Sequence, residues 1–335
     1  MAVSIKDVAR VAGVSLGTVS NVLNRPDQVA PATRERVRQA IADIGYVRND
    51  SARQLRAGRS RTLAMVVLDM ANPFFTDVAR GAEEEAAGHG AMLVLCNSGA
   101  DERREHRHLE QIAEQRMRGV LLTPVVGSGD EPLELLAAQN IPAVLVDRGS
   151  PRPDRCSVTV DDVLGGRLAA RHLLALGHTH LGFVGGPLSV TQVADRFQGA
   201  ADVARGTGAR LDHIATDAPT VTAGRDATVA LLAADVRPTA LFCANDLLAL
   251  GALQALIMAG LSVPGDMAVI GYDDIDFAAA AAVPLSSVRQ PREELGRSAA
   301  RLLLEEADRD ATHRHQHVVF MPELVVRRST DPGRR

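Results

Sequence analysis

Runs of apolar residues alternate with amphipathic stretches from Thr62 to near the C-terminus. "TLAMVVLD" (62–69) predicts a buried strand, residues 75–88 a helix, and "AMLVLC" (91–96) a second strand. Strands that alternate with helices form parallel sheets covered on both faces. One sheet of about ten such strands would be unusual. We therefore expect two similar doubly wound lobes, the second series beginning near Val158. The other predicted strands are "RGVLLTP", "PAVLVDR", "HLGFVGG", "TALFCAN", "MAVIGYDD" and the run "VVFMP", and the other helices are 162–176, 194–206, 223–234 and 246–259.

The first 45 residues have shorter apolar periods broken by turn residues. Ser4 with Asp7 resembles a capping box, Gly13 ends the helix that follows, and a second helix starts after Ser15. A third helix is predicted from Thr33 to the stop at Gly45. Each helix is too short to be stable alone, so the three are expected to share one small core, as in a helix-turn-helix domain. The predicted core positions are Ile5, Val8, Ala12, Val19, Val22, Leu23, Val37, Ala40, Ile41 and Ile44.

Charge is distributed unevenly along the chain. Residues 1–61 hold eleven Lys or Arg and five acidic residues, a balance of +6, whereas the whole chain is at −4. A small basic segment on an acidic body is typical of a protein that binds nucleic acid. On the second helix, Leu16, Gly17 and Asn21 point away from the core. Asn pairs with adenine and Leu packs on the thymine methyl group. Phosphate contacts are predicted for Ser15, Thr18, Ser20 and Asn24.

These residues resemble the LacI family of transcriptional regulators. "AGVS-x-x-TVS-x-VLN", "TRERV" and "IGYVRN-x-x-ARQLRAGRS" occur in order and at the family's spacing, and the likeness continues to about residue 328. It departs at Arg48, where proline is usual, at Asn21, where many members have arginine, and at Gly17, which has no side chain to read a base. The resemblance implies that residues 49–58 form a hinge helix on DNA, with Leu55 as a minor-groove wedge and Arg53 on phosphate. Ser4, Tyr46 and Asn49 complete the predicted DNA-binding set.

Polar side chains follow the predicted strands, where ligands bind in parallel sheets. Their carboxylates, amides and guanidinium groups make the paired hydrogen bonds that vicinal hydroxyls need, and a Phe face packs on sugar C–H groups. The predicted ligand-binding residues are Asn72, Phe74, Phe75, Asp147, Arg148, Arg196, Asn245, Asp273 and Gln290. The set is similar to that of ribose-binding members of the periplasmic sugar-binding fold. The aromatic that the second lobe usually contributes is missing from "TDAPTVTAG" (216–224). The resemblance favours a pentose such as ribose, with a purine or a phosphosugar as alternatives.

Other chemistry has little support in the sequence. The histidines in 106–108 and 312–317 suggest metal binding, but no cysteine or carboxylate is expected to complete a ligand set with them, so neither metal nor cofactor is predicted. Cys96, Cys156 and Cys243 have no paired spacing and are read as buried apolar residues. There is no phosphate-binding loop, which disfavours a sugar-converting enzyme, and no leader or membrane-length run, which disfavours a transport receptor.

The expected protein is therefore a cytoplasmic regulator and not an enzyme. Its partners are operator DNA, a sugar and a second copy of the chain, with no membrane. A tetramer is disfavoured because the tail has no heptad pattern. The expected division is a helix-turn-helix domain at 1–48, a hinge and linker at 49–61, two lobes at 62–328 and a tail at 329–335.

Overall fold

The computed structural model describes residues 3–47, 60–127, 130–150, 152–308, 312–331 and 333. The chain divides into two compact units, Met1–Arg59 and Ser60–Arg335. The hinge helix predicted at 49–58 lies outside the described residues, as do the predicted DNA contacts at Asn49, Arg53 and Leu55.

Three short helices make up the described part of the first unit, and local capping explains where they begin and end. The backbone N–H and hydroxyl of Ser4 both donate to the Asp7 carboxylate, at 3.0 and 2.7 Å. Gly13 has φ 60°, a left-handed conformation in which a side chain would be strained. Ser15 Oγ accepts from the N–H of Thr18 at 3.1 Å and so begins the next helix. The helices are α1 (Ile5–Ala12), α2 (Leu16–Asn24) and α3 (Pro31–Asp43), with a 3-10 turn at Pro26–Gln28.

One residue from each helix anchors the core of this unit. Val8, Val19 and Val37 are completely buried. Full burial of such a side chain contributes roughly 1.5–3 kcal/mol, which none of the three helices could obtain alone. The remaining core residues are Ala9, Ala12, Val22 and Ala40, with Ile5, Val14, Leu23, Val29, Ile41, Ile44 and Tyr46 packed around them. The predicted bundle is confirmed.

The start of the third helix was predicted wrongly. α3 begins at Pro31 rather than at Thr33, with Ala30 as its N-cap. Proline suits the first helical position because its missing N–H has no intrahelical partner there and its φ is already helical.

Twelve strands form two sheets in the described part of the second unit. The first sheet has the order β11-β5-β4-β3-β1-β2 and the second β12-β10-β9-β8-β6-β7. All neighbours are parallel except β12, which is antiparallel to β10. The strands are β1 (Thr62–Val67), β2 (Met92–Asn97), β3 (Gly119–Leu122), β4 (Ala143–Val146), β5 (Ser157–Val160), β6 (His180–Val184), β7 (Arg210–Ile214), β8 (Ala240–Cys243), β9 (Ala268–Asp273), β10 (Ser286–Arg289), β11 (His317–Phe320) and β12 (Glu323–Val325).

Helices cover both sheets, so the predicted pair of doubly wound lobes is confirmed. We call the unit around the first sheet the first lobe and that around the second sheet the second lobe. The helices are α4 (Pro73–Gly88), α5 (Glu102–Glu114), α6 (Glu131–Ala138), α7 (Asp162–Ala175), α8 (Thr191–Thr207), α9 (Val221–Leu232), α10 (Asp246–Met258), α11 (Asp276–Ala280) and α12 (Arg292–Ala307). Strands β7, β10 and β12 had no counterpart among the predicted elements.

The chain crosses between the lobes three times. It leaves the first sheet after β5, returns after β10 as α12 packs on α4, and crosses again between β11 and β12. The N–H of Asp161 donates to Phe320 O at 2.9 Å and ties the first crossing to the third. A side chain at Gly296 of α12 would overlap the carbonyl oxygen of Val78 in α4, so this helix pair needs glycine for its close approach. The second series of elements therefore begins after β5 with α7, the helix predicted at 162–176, which agrees with the predicted start near Val158.

The C-terminal residues of the second lobe are part of its core. Ser329 and Thr330, which we expected at the start of a tail, are buried. Ser329 Oγ donates to Val269 O at 2.6 Å, and Thr330 Oγ1 lies 2.7 Å from Ser286 Oγ. Elsewhere in the unit, none of the described helices is both long and apolar enough to cross a bilayer.

Candidate functional site

The exposed face of α2 carries the residues predicted to read bases. Leu16, Gly17 and Asn21 are exposed, with Leu16 at 45%, while Val19 and Val22 on the opposite face are buried. A Cβ at Gly17 would meet only Ser15 Oγ, at 3.6 Å. An exposed apolar residue beside an exposed amide, on a helix held by its other face, can enter a major groove without disturbing the core.

The small polar residues of α2 hydrogen-bond to one another along the helix. The hydroxyls of Ser15 and Thr18 lie 2.9 Å apart, and Asn24 Nδ2 donates to Ser20 O at 2.8 Å. These side chains are exposed or half-buried, so their remaining hydrogen-bonding capacity faces outward. Ser4 is held by Asp7, and Tyr46 is half-buried against the core of the bundle.

In the second unit, two aspartates stand at strand ends in a left-handed backbone conformation. Asp147 directly follows β4 with φ 59°, and Asp273 ends β9 with φ 101°. Such backbone conformations cost roughly 1–3 kcal/mol each in a residue other than glycine and cluster at functional sites. Both side chains are almost completely buried.

Arg196 of α8 is at the centre of this region. Its Nε donates to Asp162 Oδ1 at 2.8 Å and its Nη1 to Ala244 O at 2.7 Å. Nη1 also lies 3.8 Å from Asp273 Oδ1, and the guanidinium stacks 3.8 Å from the Tyr272 ring centroid. The stacking and the hydrogen bonds hold the guanidinium plane in a fixed direction.

Two glutamines extend the network. Gln290, directly after β10, donates from Nε2 to Asp273 Oδ1 at 2.7 Å. Gln192 of α8 donates to Asp147 Oδ2 at 3.0 Å and to the Asp147 carbonyl, and it thereby joins the second lobe to the first. We call Asp147, Asp162, Arg196, Asp273 and Gln290 the interlobe cluster.

Several buried polar atoms in the two lobes lack a hydrogen-bond partner among the described residues. They include Asp147 Oδ1 and Gln290 Oε1, together with the hydroxyls of Thr123 and Thr216. Thr123 follows β3 and Thr216 comes two residues after β7, so both stand at carboxyl ends of strands. Leaving such a group unpaired costs about 1–3 kcal/mol, which a ligand with hydroxyl groups could recover.

Burial and neighbouring charges give Asp147 and Asp273 different pKa values. Burial raises the pKa of Asp147 to about 8, and repulsion from the Asp162 carboxylate adds to this rise. Attraction to the Arg196 guanidinium opposes it. Burial raises the pKa of Asp273 to about 6, held down by Arg196 and Gln290. Burial opposes the charge on Arg196, but the carboxyl of Asp162 raises its pKa well above the ordinary value. Burial therefore favours the protonated form of Asp147, whereas Arg196 and Gln290 stabilise the carboxylate of Asp273.

Other predicted ligand residues do not join the cluster. Asn72 Oδ1 caps α4 by accepting from Phe74 N at 3.1 Å. Asn245 Oδ1 caps α10 through Leu248 N at 2.9 Å, and its Nδ2 donates to Pro219 O at 3.1 Å. The rings of Phe74 and Phe75 are buried edge to face, with centroids 5.1 Å apart. Arg148 lines a pocket of about 440 Å³ beside the first crossing, and Asp162 of the interlobe cluster lines the same pocket.

A second bridge between the lobes was not predicted. Arg292, at the second crossing, donates from Nε to Asp77 of α4 at 2.7 Å and from Nη1 to Asp273 O at 2.6 Å. Asp162, Gln192, Thr123 and Thr216 were also missed. For Thr123, its place at the end of the predicted strand "RGVLLTP" was an available signal. No predicted strand preceded Thr216, and no local pattern marks Gln192 or Arg292.

The prediction that no cysteine or carboxylate completes a set with the histidines of 312–317 was wrong. Cys156 and Glu306 lie beside His313 and His315, with one donor atom of each residue within 4.8 Å of the others. The pairing of β11 with β5 and the packing of α12 on the first lobe bring these distant residues together.

A helix-turn-helix unit followed by two parallel-sheet lobes around a buried polar cluster defines a DNA-binding protein with a ligand-binding body. Residues 4–49 match the model of bacterial regulatory proteins of the lacI family, and residues 170–330 match the periplasmic binding protein-like domain. The chain belongs to the lacI family and is a ligand-responsive transcriptional regulator, not an enzyme.

Relatives over nearly the whole chain support this assignment. The ribose operon repressor of Escherichia coli (strain K12) is 34% identical over 97% of this chain and 99% of its own. The lac repressor dimer bound to operator and the anti-inducer ONPF has a TM-score of 0.85 at 28% identity, over 98% of this chain and 99% of that one. A LacI family regulator from Enterococcus faecium with bound ribose has a TM-score of 0.74 at 29% identity, over 81% of this chain and 99% of that one.

Proposed function

We propose that this protein is a repressor that binds a palindromic operator as a dimer and senses a small ribose-like sugar between its two lobes. The observation that carries the sugar assignment is the interlobe cluster, which combines a fixed guanidinium, two aspartates with different pKa values and buried acceptors without partners. The proposed site of action is cytoplasmic DNA.

The chemistry of the cluster suits vicinal hydroxyls. The carboxylate of Asp273 accepts hydroxyl protons, while the protonated carboxyl of Asp147 can both donate and accept. Arg196 supplies donors in one plane, and Gln290 Oε1 offers a further acceptor. All five side chains of the cluster are polar, which agrees with a hydroxyl-rich ligand better than with an apolar one. The ribose-bound relative and the ribose operon repressor support a pentose.

On DNA, each subunit would place the exposed face of α2 in a major groove. Leu16 and Asn21 would contact base edges, and the hydroxyls of α2 would contact phosphates. By resemblance to the family, Leu55 would insert as a wedge at the centre of the palindrome, and Arg53 would contact the flanking phosphate. Paired half-sites require a two-fold dimer.

Signalling would use the contacts that link the lobes. Gln192 bridges to Asp147, and Arg292 bridges Asp77 to the Asp273 carbonyl. A sugar that bonds to Asp147 and Asp273 competes with these links or reinforces them, and so has different affinities for two lobe arrangements. That difference in affinity is what can shift an equilibrium between DNA-binding states.

The sugar assignment is tested by thermal unfolding of the full chain with ribose, a purine base and a ribose phosphate. A ligand at a hundredfold excess over its Kd stabilises the folded state by about 2.7 kcal/mol. We expect stabilisation by ribose that is lost in Asp273→Ala, which removes the proposed hydroxyl acceptor, and retained in Asp235→Ala, which changes an exposed aspartate. Stabilisation by the purine base alone, or by the ribose phosphate alone, would mean that the ligand is a purine or a phosphosugar and not a free sugar. No stabilisation by any of them would refute the sugar site.

Operator binding is tested separately, so that either half of the proposal can fail alone. Selection from randomised duplexes should recover inverted repeats, and sedimentation should show two chains per duplex. Recovery of single, unrepeated sites with one chain bound would contradict the dimer.

A further inference from the structure

Four side chains from three distant segments converge at an edge of the first lobe. Cys156 Sγ lies 3.5 Å from His313 Nε2 and 3.8 Å from His315 Nδ1. Glu306 Oε2 lies 3.9 Å from each of the same two ring nitrogens. Cys156 directly precedes β5, Glu306 is near the end of α12, and the histidines precede the edge strand β11. The four donor atoms thus surround one point.

The contacts of Glu306 fit a bound ion better than direct hydrogen bonds, whereas the two contacts of Cys156 are also short enough for weak hydrogen bonds to sulfur. A distance of 3.9 Å is too long for a hydrogen bond to Glu306 Oε2, and this buried oxygen has no such partner among the described residues. Around a tetrahedral zinc ion, with Zn–S about 2.3 Å and Zn–N or Zn–O about 2.0–2.1 Å, neighbouring ligand atoms stand roughly 3.3–3.6 Å apart. Small side-chain rotations would bring all four donors to that spacing.

The surroundings of the four residues resemble those of a ligand shell. The second ring nitrogen of His313, Nδ1, lies 3.4 Å from Glu305 Oε2, and Arg301 donates to Oε1 of Glu305 at 2.9 Å. A carboxylate behind a metal-binding histidine orients the ring. Gln316 N also points at Cys156 Sγ, at 3.4 Å. Cys156 is fully buried and the His313 side chain is 8% exposed.

We propose that Cys156, Glu306, His313 and His315 bind one Zn²⁺ ion in a structural site. One thiolate and one carboxylate neutralise the ion, and a mixed sulfur, nitrogen and oxygen set favours zinc over the oxygen-binding Ca²⁺ and Mg²⁺. Four protein ligands leave no open position for chemistry. Cys156 precedes β5, whereas the interlobe cluster stands at the carboxyl ends of the strands, so this site is separate from the sugar site.

The ion would fasten the edge strand β11 to the rest of the first lobe. β11 pairs only with β5 in its sheet, within the described residues, and leads directly into the third crossing between the lobes. Joining the starts of β5 and β11 to the end of α12 stabilises the lobe because metal binds only where the ligands are assembled.

The test uses the full chain without a histidine tag, stripped with chelator and titrated with Zn²⁺ against a competing chelator. We expect one zinc per chain and a rise of about 5 °C in the unfolding midpoint at hundredfold excess over the Kd. Substituted Co²⁺ should show tetrahedral d–d absorption and a thiolate charge-transfer band. Cys156→Ser should abolish that band, and Glu305→Gln should weaken zinc binding by about 10–100-fold.

Matched controls separate this site from adventitious binding. Cys96→Ser removes another thiol of the same lobe, and His106→Gln removes an exposed histidine. Both should bind zinc like the wild type. If circular dichroism shows that Cys156→Ser is unfolded, the half-exposed His315→Gln decides instead. Absence of stoichiometric zinc, or equal affinity in wild type and in the folded ligand variant, would overturn the proposal.

Discussion

Replacing Asp147 by asparagine should remove a large part of the pH dependence of stability between pH 6 and pH 9. The folded chain holds the Asp147 pKa at about 8, against an ordinary value of 3.8. A raised folded-state pKa means that the folded state binds the proton more tightly. The resulting stability is complete below the ordinary pKa and is lost as the pH rises through the folded one.

The magnitude follows from the pKa itself. At pH 6 the group is two units below its folded pKa, and at pH 9 it is ionised in both states. One unit of pKa corresponds to about 1.4 kcal/mol, so the free energy of unfolding should fall by about 3 kcal/mol over this range. Asparagine has the shape of the protonated acid and tolerates the left-handed conformation. The free energy of unfolding of the variant should therefore lack this fall, so that its difference from the wild type grows by about 3 kcal/mol between pH 6 and pH 9.

The assay is urea unfolding at 25 °C, followed by far-ultraviolet circular dichroism, at four pH values from 6 to 9. Asp235→Asn is the control because that residue is exposed, and its curve should follow the wild type. Parallel curves for wild type and Asp147→Asn would refute the reasoning. They would mean that the folded chain accommodates the Asp147 carboxylate without the cost that burial beside Asp162 implies.

Three further predictions concern packing, buried charge and base reading. Gly296→Ala should lower the free energy of unfolding by about 1–3 kcal/mol, because α4 and α12 must separate to make room for the methyl group. Gly206→Ala should raise the free energy of unfolding by about 0.5–1 kcal/mol, because a Cβ there meets nothing within 4 Å. Urea unfolding measures both changes. Arg196→Met should cost about 3–5 kcal/mol in the same assay, since Asp162 stays buried without its partner. Asn21→Ala should leave the unfolding midpoint unchanged. In fluorescence anisotropy titrations it should reduce the difference in binding free energy between matched and mismatched operators by about 1–3 kcal/mol. An unchanged difference would show that Asn21 does not read a base.

Local patterns were sufficient for the first unit and for most elements of the second. Caps at Ser4 and Ser15, the stop at Gly13 and the helical spacing of apolar residues are properties of adjacent residues, and they give the same bundle in sequence and in structure. The strand-end rule also located Asp147 and Asp273, because a residue that ends a buried parallel strand must lie at the ligand edge of its sheet.

The partners of each strand and helix were decided only by the tertiary structure. The residues of a strand or helix do not specify which other element it will pack against, so nothing local places β11 beside β5 or α12 on the first lobe. The tertiary structure likewise gave Asn245 the role of capping α10, and the arrangement of the lobes brought Gln192 to Asp147.

The clearest example is the cluster of Cys156, Glu306, His313 and His315. In sequence its cysteine is far from its histidines and carries no spacing signal, and only the pairing of β5 with β11 makes them neighbours. Short-range periodicity determines which elements form, because it depends on the few residues within one or two turns. Which elements meet depends on how the whole buried surface packs, and that information is not carried by any one segment.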